Sequence, residues 1–540
     1  MPGKPIGVAY KQTVLEDQWD AIVIGSGMGG LTAAALLARH AGKRVLVLER
    51  HYTAGGFTHT FRRPGYEWDV GVHYIGQVQD PASPVRAAFD HVTEGRLRWN
   101  PLPDVYDQIR IAGRVYEFRS GLDRFREGLL AAFPAEGTAI ERYLAAVLSC
   151  VKASSLYFAE KAIPPMAARL AGGLMRAPFL RWAGRTTAQV LAGITANREL
   201  IGVLTAQWGD YGLPPAESSF AAHAMIAQHY FNGASYPVGG ASQIAASIAP
   251  AIERAGGKIV VSADVDQIVL DKSGRAAGVR MPGGREFRAP VIVSDAGAMN
   301  TFGRLLPPDS PGCAAIAADI RAIGHSMSYL SLYAGLNKSA ADLGLTGTNI
   351  WAYPTPDHDA NVARFSADPA APFPVLFISF PSAKDPDFLA RHPGHSTIEV
   401  ITLAPYRWFS QWENSRWKHR GADYDELKTH FTERLCQELE RHVPAVRGHV
   451  VHAEISTPLS TRHFSNYQAG EAYGLNATPA RFRLGSLSAR TPVRNLFLTG
   501  QDVALLGVTG ALFGGVTAVS AILGRNLVAK VTRPVAAQAA

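Results

Sequence analysis

The run Gly25-Ser26-Gly27-Met28-Gly29-Gly30, followed further on by Glu49, has the residue types and spacing to bind a dinucleotide. Gly25 permits a tight turn, Gly27 lets the backbone approach a pyrophosphate, and Gly30 lets a helix pack closely on a strand. Glu49 follows Gly30 at the roughly 20-residue spacing of an acid that accepts the hydroxyls of an adenosine ribose. Candidates for proton transfer are His73 and Tyr74, after the Asp69-x-Gly71 turn, and His229 and Tyr236, before the Gly239-Gly240 pair. Histidine exchanges protons near neutral pH, and tyrosine can donate to developing charge. His392/His395 and His449/His452 are H-x-x-H pairs outside any recognisable metal motif, so no metal site is expected. No nucleophile elbow of the G-x-S-x-G type occurs. Lys384 and Asp385 are read as a structural ion pair.

The elements around the glycine run are those the binding needs. Residues 20–24 read as a short buried strand, 31–38 as a helix, and 44–48 as a second strand ending at Glu49. A helix N-terminus after such a turn offers free N–H groups and partial positive charge to phosphates. A nicotinamide enzyme would then proceed to another βαβ unit. Here the chain continues as Ala54-Gly55-Gly56-Phe57-Thr58, a second glycine pair suited to a loop lying along a longer dinucleotide.

Ala54-Gly55-Gly56 followed by Asp69-x-Gly71-x-His73-Tyr74 resembles the phytoene desaturase, carotenoid isomerase and retinol saturase family of flavoproteins, most closely the retinol saturase branch. Phe133-Pro134, His229-Tyr230, Tyr236-Pro237-x-Gly239-Gly240, the run from Phe380 to Pro386, and Asn495-Leu496-Phe497-Leu498-Thr499-Gly500-Gln501-Asp502 extend the likeness from about residue 19 to about 527. The terminal motifs mark flavin binding in general, and the middle ones point to the saturase and isomerase branch.

The resemblance implies an α/β (α+β overall) fold: a Rossmann-like FAD-binding domain interrupted by a mixed-sheet and helical substrate domain. The FAD-binding parts would be residues 15–80, 236–305 and 456–530, and the substrate parts 81–235 and 306–455. It also implies FAD as cofactor, held by Gly25, Ser26, Gly27, Met28, Gly29, Gly30, Glu49, Arg50, Gly55, Gly56, Phe57 and Thr58. Val265 would lie at the adenine, Gly500 and Asp502 at the pyrophosphate and ribityl chain, and Val508, Thr509 and Gly510 near the flavin ring. Catalysis would fall to His73, Tyr74, His229 and Tyr236, on the C–C or C=C bonds of a long apolar substrate such as a carotenoid, retinoid or unsaturated fatty acyl chain. The electron partner (quinone, oxygen or a reductase) is left open. A flavin amine oxidase on a similar scaffold is one alternative. A prenyl-binding escort like the Rab GDP-dissociation inhibitors is another, against which the intact Gly25/Gly27/Gly30, Glu49 and Asp502 set argues.

At 540 residues, 47% of them apolar and 18% charged, the chain exceeds one ordinary core and excludes a disordered, collagenous or coiled-coil main state. Three scattered cysteines, Cys150, Cys313 and Cys436, exclude a disulfide scaffold and fit a reducing compartment. Residues 1–20 lack the apolar core of a secretory signal. The uncharged runs 21–38 and 503–524 have the length of membrane spans, but their clustered glycines favour the two ends of a cofactor site.

Residues 187–229 and 122–148 read as mainly helical, 258–294 as strands with a hairpin, and 375–380 and 398–403 as strands. The net charge of +8 concentrates in residues 161–198, which hold Lys161, Arg169, Arg176, Arg181, Arg185 and Arg198 and no acid. Ile163, Met166, Leu170, Leu174, Met175, Phe179, Leu180 and Trp182 lie between them, and Pro164-Pro165, Gly172-Gly173 and Pro178 break the stretch into short pieces. This reads as a peripheral membrane attachment with arginines at headgroups and Phe179 and Trp182 in the boundary, on the inner, cytoplasmic face of the cell membrane. Nucleic acid is not an expected partner, because no nucleic-acid motif appears and the excess is local.

Overall fold

The computed structural model describes residues 5–162 and 165–534, without the side chains of 162–169. Its centre is a six-stranded parallel sheet in the order Val8–Ala9, Lys258–Val261, Val45–Leu48, Ala21–Ile24, Ile292–Ser294, Leu496–Leu498. Parallel sheets bury both faces, and the residues alternate accordingly. Ala21, Val23, Val45 and Val47 pack under the helices Met28–Ala41, Gln243–Arg254 and Gly507–Leu523. Ile22, Ile24, Leu46 and Leu48 pack on the opposite face. There they meet the antiparallel meander Gln267–Leu270, Ala276–Arg280, Glu286–Arg288 and the helix Cys313–Ile323. The expected strands of 258–294 therefore divide between two sheets.

A second sheet of seven strands runs in the order Val450–Ser456, Tyr329–Leu336, Ser396–Leu403, Leu376–Ser379, Asn349–Tyr353, Val105–Ile111, Arg114–Arg119. All neighbours are antiparallel except Asn349–Tyr353 with Val105–Ile111. Leu330, Leu332 and Ala334 turn to the helix Ala422–His442. The alternate residues Tyr329, Ser331 and Tyr333 line a cavity, as do Trp351, Phe377 and Ile401 of neighbouring strands. Helices Gly137–Ala162, Pro165–Ala183 and Phe220–Tyr230 wall off the side.

The run 21–38 is a strand, turn and helix, and 503–524 is a loop and helix. No helix among the described residues is long and apolar enough to cross a membrane.

The basic stretch 161–198 departs from the reading above in four ways. Gly172, Gly173 and Pro178 do not break it, since Pro165–Ala183 is one helix. Pro178 and Leu174, whose carbonyl the proline ring leaves unbonded, are both exposed, so water can satisfy that group. Lys161 is not a surface charge: its Nζ donates to the carbonyls of Leu487 (3.1 Å) and Val503 (3.2 Å), and burial lowers its pKa to about 7. Arg176 is compensated by Glu160 at 4.0 Å, just outside the stretch. The aromatic anchors are also internal. Phe179 is fully buried against Tyr157 and Phe482, and Trp182 packs on Phe220. The outward apolar residues are Leu170 and Leu174, 86% and 82% exposed, and the preceding helix exposes Leu148 and Leu156. Ile163 and the side chains of Met166 and Arg169 lie outside the described residues.

Candidate active site

The glycine turn is built for close approach. Gly25 has φ +94°, open to glycine at no steric cost. A Cβ on Gly30 would stand 2.3 Å from the Gly25 carbonyl oxygen, and one on Gly29 would stand 2.5 Å from the Gly500 backbone. Strands Ala21–Ile24 and Leu496–Leu498 are thus clamped around one turn. Gly55 N–H donates to the Ser26 carbonyl (3.1 Å), which ties the second glycine pair to the first. Glu49 is buried, with Oε2 accepting from Ser26 N (2.8 Å) and Oγ (2.7 Å) and Oε1 from His51 N (2.7 Å).

Helices Met28–Ala41 and Gly507–Leu523 both begin without an N-cap side chain; Asp295 takes the Gly30 N–H and Gln501 Oε1 the Gly507 N–H (3.4 Å), so what is left for a ligand is the remaining N–H groups of each first turn. Gly27 and Val508 open both starts onto the same cavity.

That cavity has a volume of about 1360 Å³, more than the roughly 300–1,000 Å³ of a single-ligand pocket. At one end it is lined by Gly25, Ser26, Gly27, Met28, Glu49, Arg50, Gly55, Gly56, Phe57, Thr58 and Val265. Gly500, Gln501, Val508, Thr509 and Gly510 line it as well. Gly29 and Gly30 sit behind the turn as packing residues. Asp502 does not line the cavity. Its carboxylate accepts from Ala298 N (2.8 Å) and Leu475 N (3.0 Å) and braces the loop from behind, while its neighbour Gln501 reaches the wall. Asp295, which sequence reasoning passed over, accepts the Gly27 and Gly30 N–H groups, and burial lifts its pKa to about 7.

The far limb of the cavity is apolar and aromatic, with Trp351, Phe377, Tyr329, Tyr473, Met225 and Ile226 on its wall. Tyr74 and Tyr230 stack there with centroids 4.4 Å apart.

The four acid–base candidates separate. His73 and Tyr74 line the limb. His229 lines it too, but its Nε2 accepts the Gly76 N–H at 2.9 Å, and burial lowers its pKa to about 4. It is a neutral hydrogen-bonding residue that fixes the strand at Gly76. Tyr236 lies behind the wall and donates to Asp69 Oδ2 at 2.6 Å.

Beneath His73 and Tyr74 is a buried ionisable cluster that the sequence did not reveal: Asp69, Asp107, Lys384 and Glu399, with Asp210 open to the cavity. Lys384 does not pair with Asp385. Its Nζ donates to the His73 carbonyl (2.9 Å), Ser379 Oγ (2.7 Å) and Asn349 Oδ1, while Asp385 pairs with Arg391 at 2.8 Å. Burial lowers the Lys384 pKa to about 8 against the pull of Glu399, Asp107, Asp69 and Asp210. Burial also raises Asp69, Glu399 and Asp210 to about 8 each. Asp69, His73 and Glu399 bring ligand-type atoms within 4.8 Å of one another, with the Lys384 ammonium nearby.

The family model described as an NAD(P)-binding Rossmann-like domain matches residues 23–92, the glycine turn and its flanks. An all-trans-retinol 13,14-reductase of Danio rerio is 37% identical over 548 residues, covering 98% of this chain and 90% of that protein. A chloroplastic prolycopene isomerase of Arabidopsis thaliana is 25% identical over 518 residues, covering 93% of this chain and 82% of that protein. Among solved structures, the cyclohexylamine oxidase of Brevibacterium oxydans superposes with a TM-score of 0.57 at 19% identity, over 95% of this chain and 98% of that one, which shows the shared fold. With a likeness of this strength to a retinol 13,14-reductase over nearly its whole length, the chain belongs to the phytoene desaturase, carotenoid isomerase and retinol saturase family of oxidoreductases, on the retinol saturase branch.

Proposed function

We propose that the protein is an FAD-dependent oxidoreductase that saturates a C=C bond of a long apolar polyene, an all-trans retinoid or a close relative. The observation that carries this reading is the single cavity joining the glycine turn and Glu49 to an aromatic limb. One compartment accommodates a dinucleotide and a second, lipophilic molecule end to end.

The residues present fit FAD. Gly25 to Gly27 and the start of helix Met28–Ala41 suit the pyrophosphate, Glu49 the ribose, and Val265 the adenine. The start of helix Gly507–Leu523, with Val508, Thr509 and Gly510, suits the electron-rich end of the flavin ring. Thr509 Oγ1 and His51 Nε2 are buried, lie on the cavity wall and have no protein partner, as groups reserved for a ligand would be. Bound there, FAD would supply the two-electron chemistry. The chain's residues orient the polyene, exclude water and hold protons. Of the four acid–base candidates, His73 and Tyr74 line the limb, where they can orient the substrate, while His229 and Tyr236 hold the wall.

The polyene must be drawn from a lipid phase, and a peripheral membrane attachment supports that. Leu148, Leu156, Leu170 and Leu174 are exposed on the paired helices Gly137–Ala162 and Pro165–Ala183. Val151, Ser155 and Phe158 of the same first helix line the cavity. Arg181 and Arg185, at the end of the second helix, are exposed as well, and exposed leucines with arginines suit an anionic membrane surface, on the inner side where the free thiols of Cys150, Cys313 and Cys436 stay reduced.

The test is chemical. The purified protein should be yellow, release FAD on denaturation and carry a polyene extractable for mass spectrometry. A colourless protein that cannot be reconstituted with FAD overturns the reading.

A further inference from the structure

We infer that Asp210 is the acid that protonates the substrate carbon, with Tyr74 and Asp107 positioning it; this rests on the saturase reading above. Asp210 is the one carboxyl of the buried cluster that reaches the cavity wall, where it lies among the aromatic residues of the polyene limb.

The hydrogen bonds decide which carboxyl is ionised. Asp107 is surrounded by donors: Asn349 Nδ2 at 2.9 Å on Oδ1, with Gln207 Nε2 at 2.9 Å and Trp351 Nε1 at 3.2 Å on Oδ2. Tyr74 Oη lies 3.2 Å from Asp107 Oδ2 and 3.1 Å from Asp210 Oδ2. One phenol has one hydrogen, so it cannot donate to both. Burial pushes the Asp107 pKa up, but its three N–H donors, one of them the donor-only Trp351 indole, oppose that push, so of the two carboxyls Asp107 holds the negative charge and takes the phenol hydrogen. Asp210 then approaches the Tyr74 oxygen with a proton of its own.

Burial and the Asp107 charge move the Asp210 pKa in the same direction, up to about 8, and the Tyr230 hydroxyl opposes the shift. Lys384 is the cation that acts on it, and the other titratable groups coupled to it are the phenols of Tyr211, Tyr329, Tyr353 and Tyr473, which stay neutral.

In the saturation step the π bond is consumed. A bound flavin, reduced by two electrons, would supply the hydride equivalent for one carbon, and the other carbon receives the Asp210 proton. The Asp210 O–H bond breaks and a C–H bond forms, leaving a carboxylate. The Tyr74 hydroxyl can then turn from Asp107 to Asp210 and stabilise that charge. Asp210 regains its proton from water when the product leaves, and in the reverse direction the carboxylate is the base.

Two measurements test this on the FAD-loaded protein. Infrared difference spectroscopy without substrate should show, in the wild type minus Asp210→Asn spectrum, a protonated carboxyl band that titrates near pH 8 and is separate from those of Asp69 and Glu399, which both proteins keep. In anaerobic single turnovers of dithionite-reduced protein with all-trans-retinol, the wild-type rate should fall as pH rises through about 8. Asp210→Asn should slow it by about 10²–10⁴-fold and remove the inflection, with FAD content unchanged, and Asp210→Glu should restore part of the rate. A wild-type protein without that band, a rate flat across pH 8, or an Asp210→Asn rate within threefold of wild type overturns the assignment. If the wild type fails to react with all-trans-retinol at any pH while the band is present, the retinoid reading fails and the acid stands.

Discussion

His73 Nδ1 lies 2.7 Å from Glu399 Oε2, two residues that are far apart in sequence and meet directly behind the cavity wall. Burial pushes the imidazole down to about 4 and the carboxyl up to about 8, so the pair is uncharged near neutrality. Glu399 Oε1 also accepts the Asp69 N–H at 2.7 Å. Glu399→Ala therefore strands a buried donor and opens a void, at about 2–4 kcal/mol. Glu399→Gln keeps the acceptor and costs about 1 kcal/mol. Chemical denaturation of the two variants should separate them in that order, and equal losses would contradict it.

Lys384 is the one ammonium among four buried carboxyls, and it satisfies three neutral acceptors at once. Lys384→Met preserves the stem and removes the charge. Losing one partner of a buried charged network costs about 3–5 kcal/mol. A fall in denaturation midpoint of that size is the expected result, and a variant within about 1 kcal/mol of wild type would show that the cluster does not depend on its cation.

Two glycines should respond oppositely to alanine. Gly29→Ala would force the turn apart from Gly500, so the protein should lose its flavin absorbance on purification. Gly173 lies within the helix Pro165–Ala183 with nothing near its would-be Cβ, so Gly173→Ala should raise stability by up to about 1 kcal/mol. A neutral or destabilising Gly173→Ala would argue against a continuous helix there.

The glycine turn and its strand–helix–strand unit were legible in the sequence because their requirements are local. A turn that only glycine permits and an acid at a set distance fall within one strand–helix–strand unit, as Gly25, Gly30 and Glu49 show. The cluster behind His73 was not legible because Asp69, Asp107, Asp210, Lys384 and Glu399 come from five separate segments. A faint signal existed: Glu399 interrupts the apolar strand Ser396–Leu403, where a charge facing inward needs a partner. Asp210, in Gln207-Trp208-Gly209-Asp210-Tyr211, reads like any loop acid. The basic stretch misled because charge and aromaticity along a chain do not report which side a helix buries. Packing of the two helices turned Lys161 and Phe179 inward and left Leu170 and Leu174 outside.

Those leucines make the membrane reading specific. Leu170→Gln with Leu174→Gln should reduce sedimentation with anionic liposomes severalfold at low salt while leaving FAD content unchanged. Arg181→Gln with Arg185→Gln should reduce it further and weaken its salt dependence. Binding unaffected by all four changes would place the attachment elsewhere.

The central claim is that one cavity brings a reduced flavin and a polyene together for saturation. It is tested most directly by mixing the dithionite-reduced, FAD-loaded protein anaerobically with all-trans-retinol, following the flavin absorbance and then the product by mass spectrometry. Reoxidation of the flavin without oxygen, with a product heavier by two hydrogens, is the predicted result. A flavin that stays reduced beside unchanged retinol would contradict it.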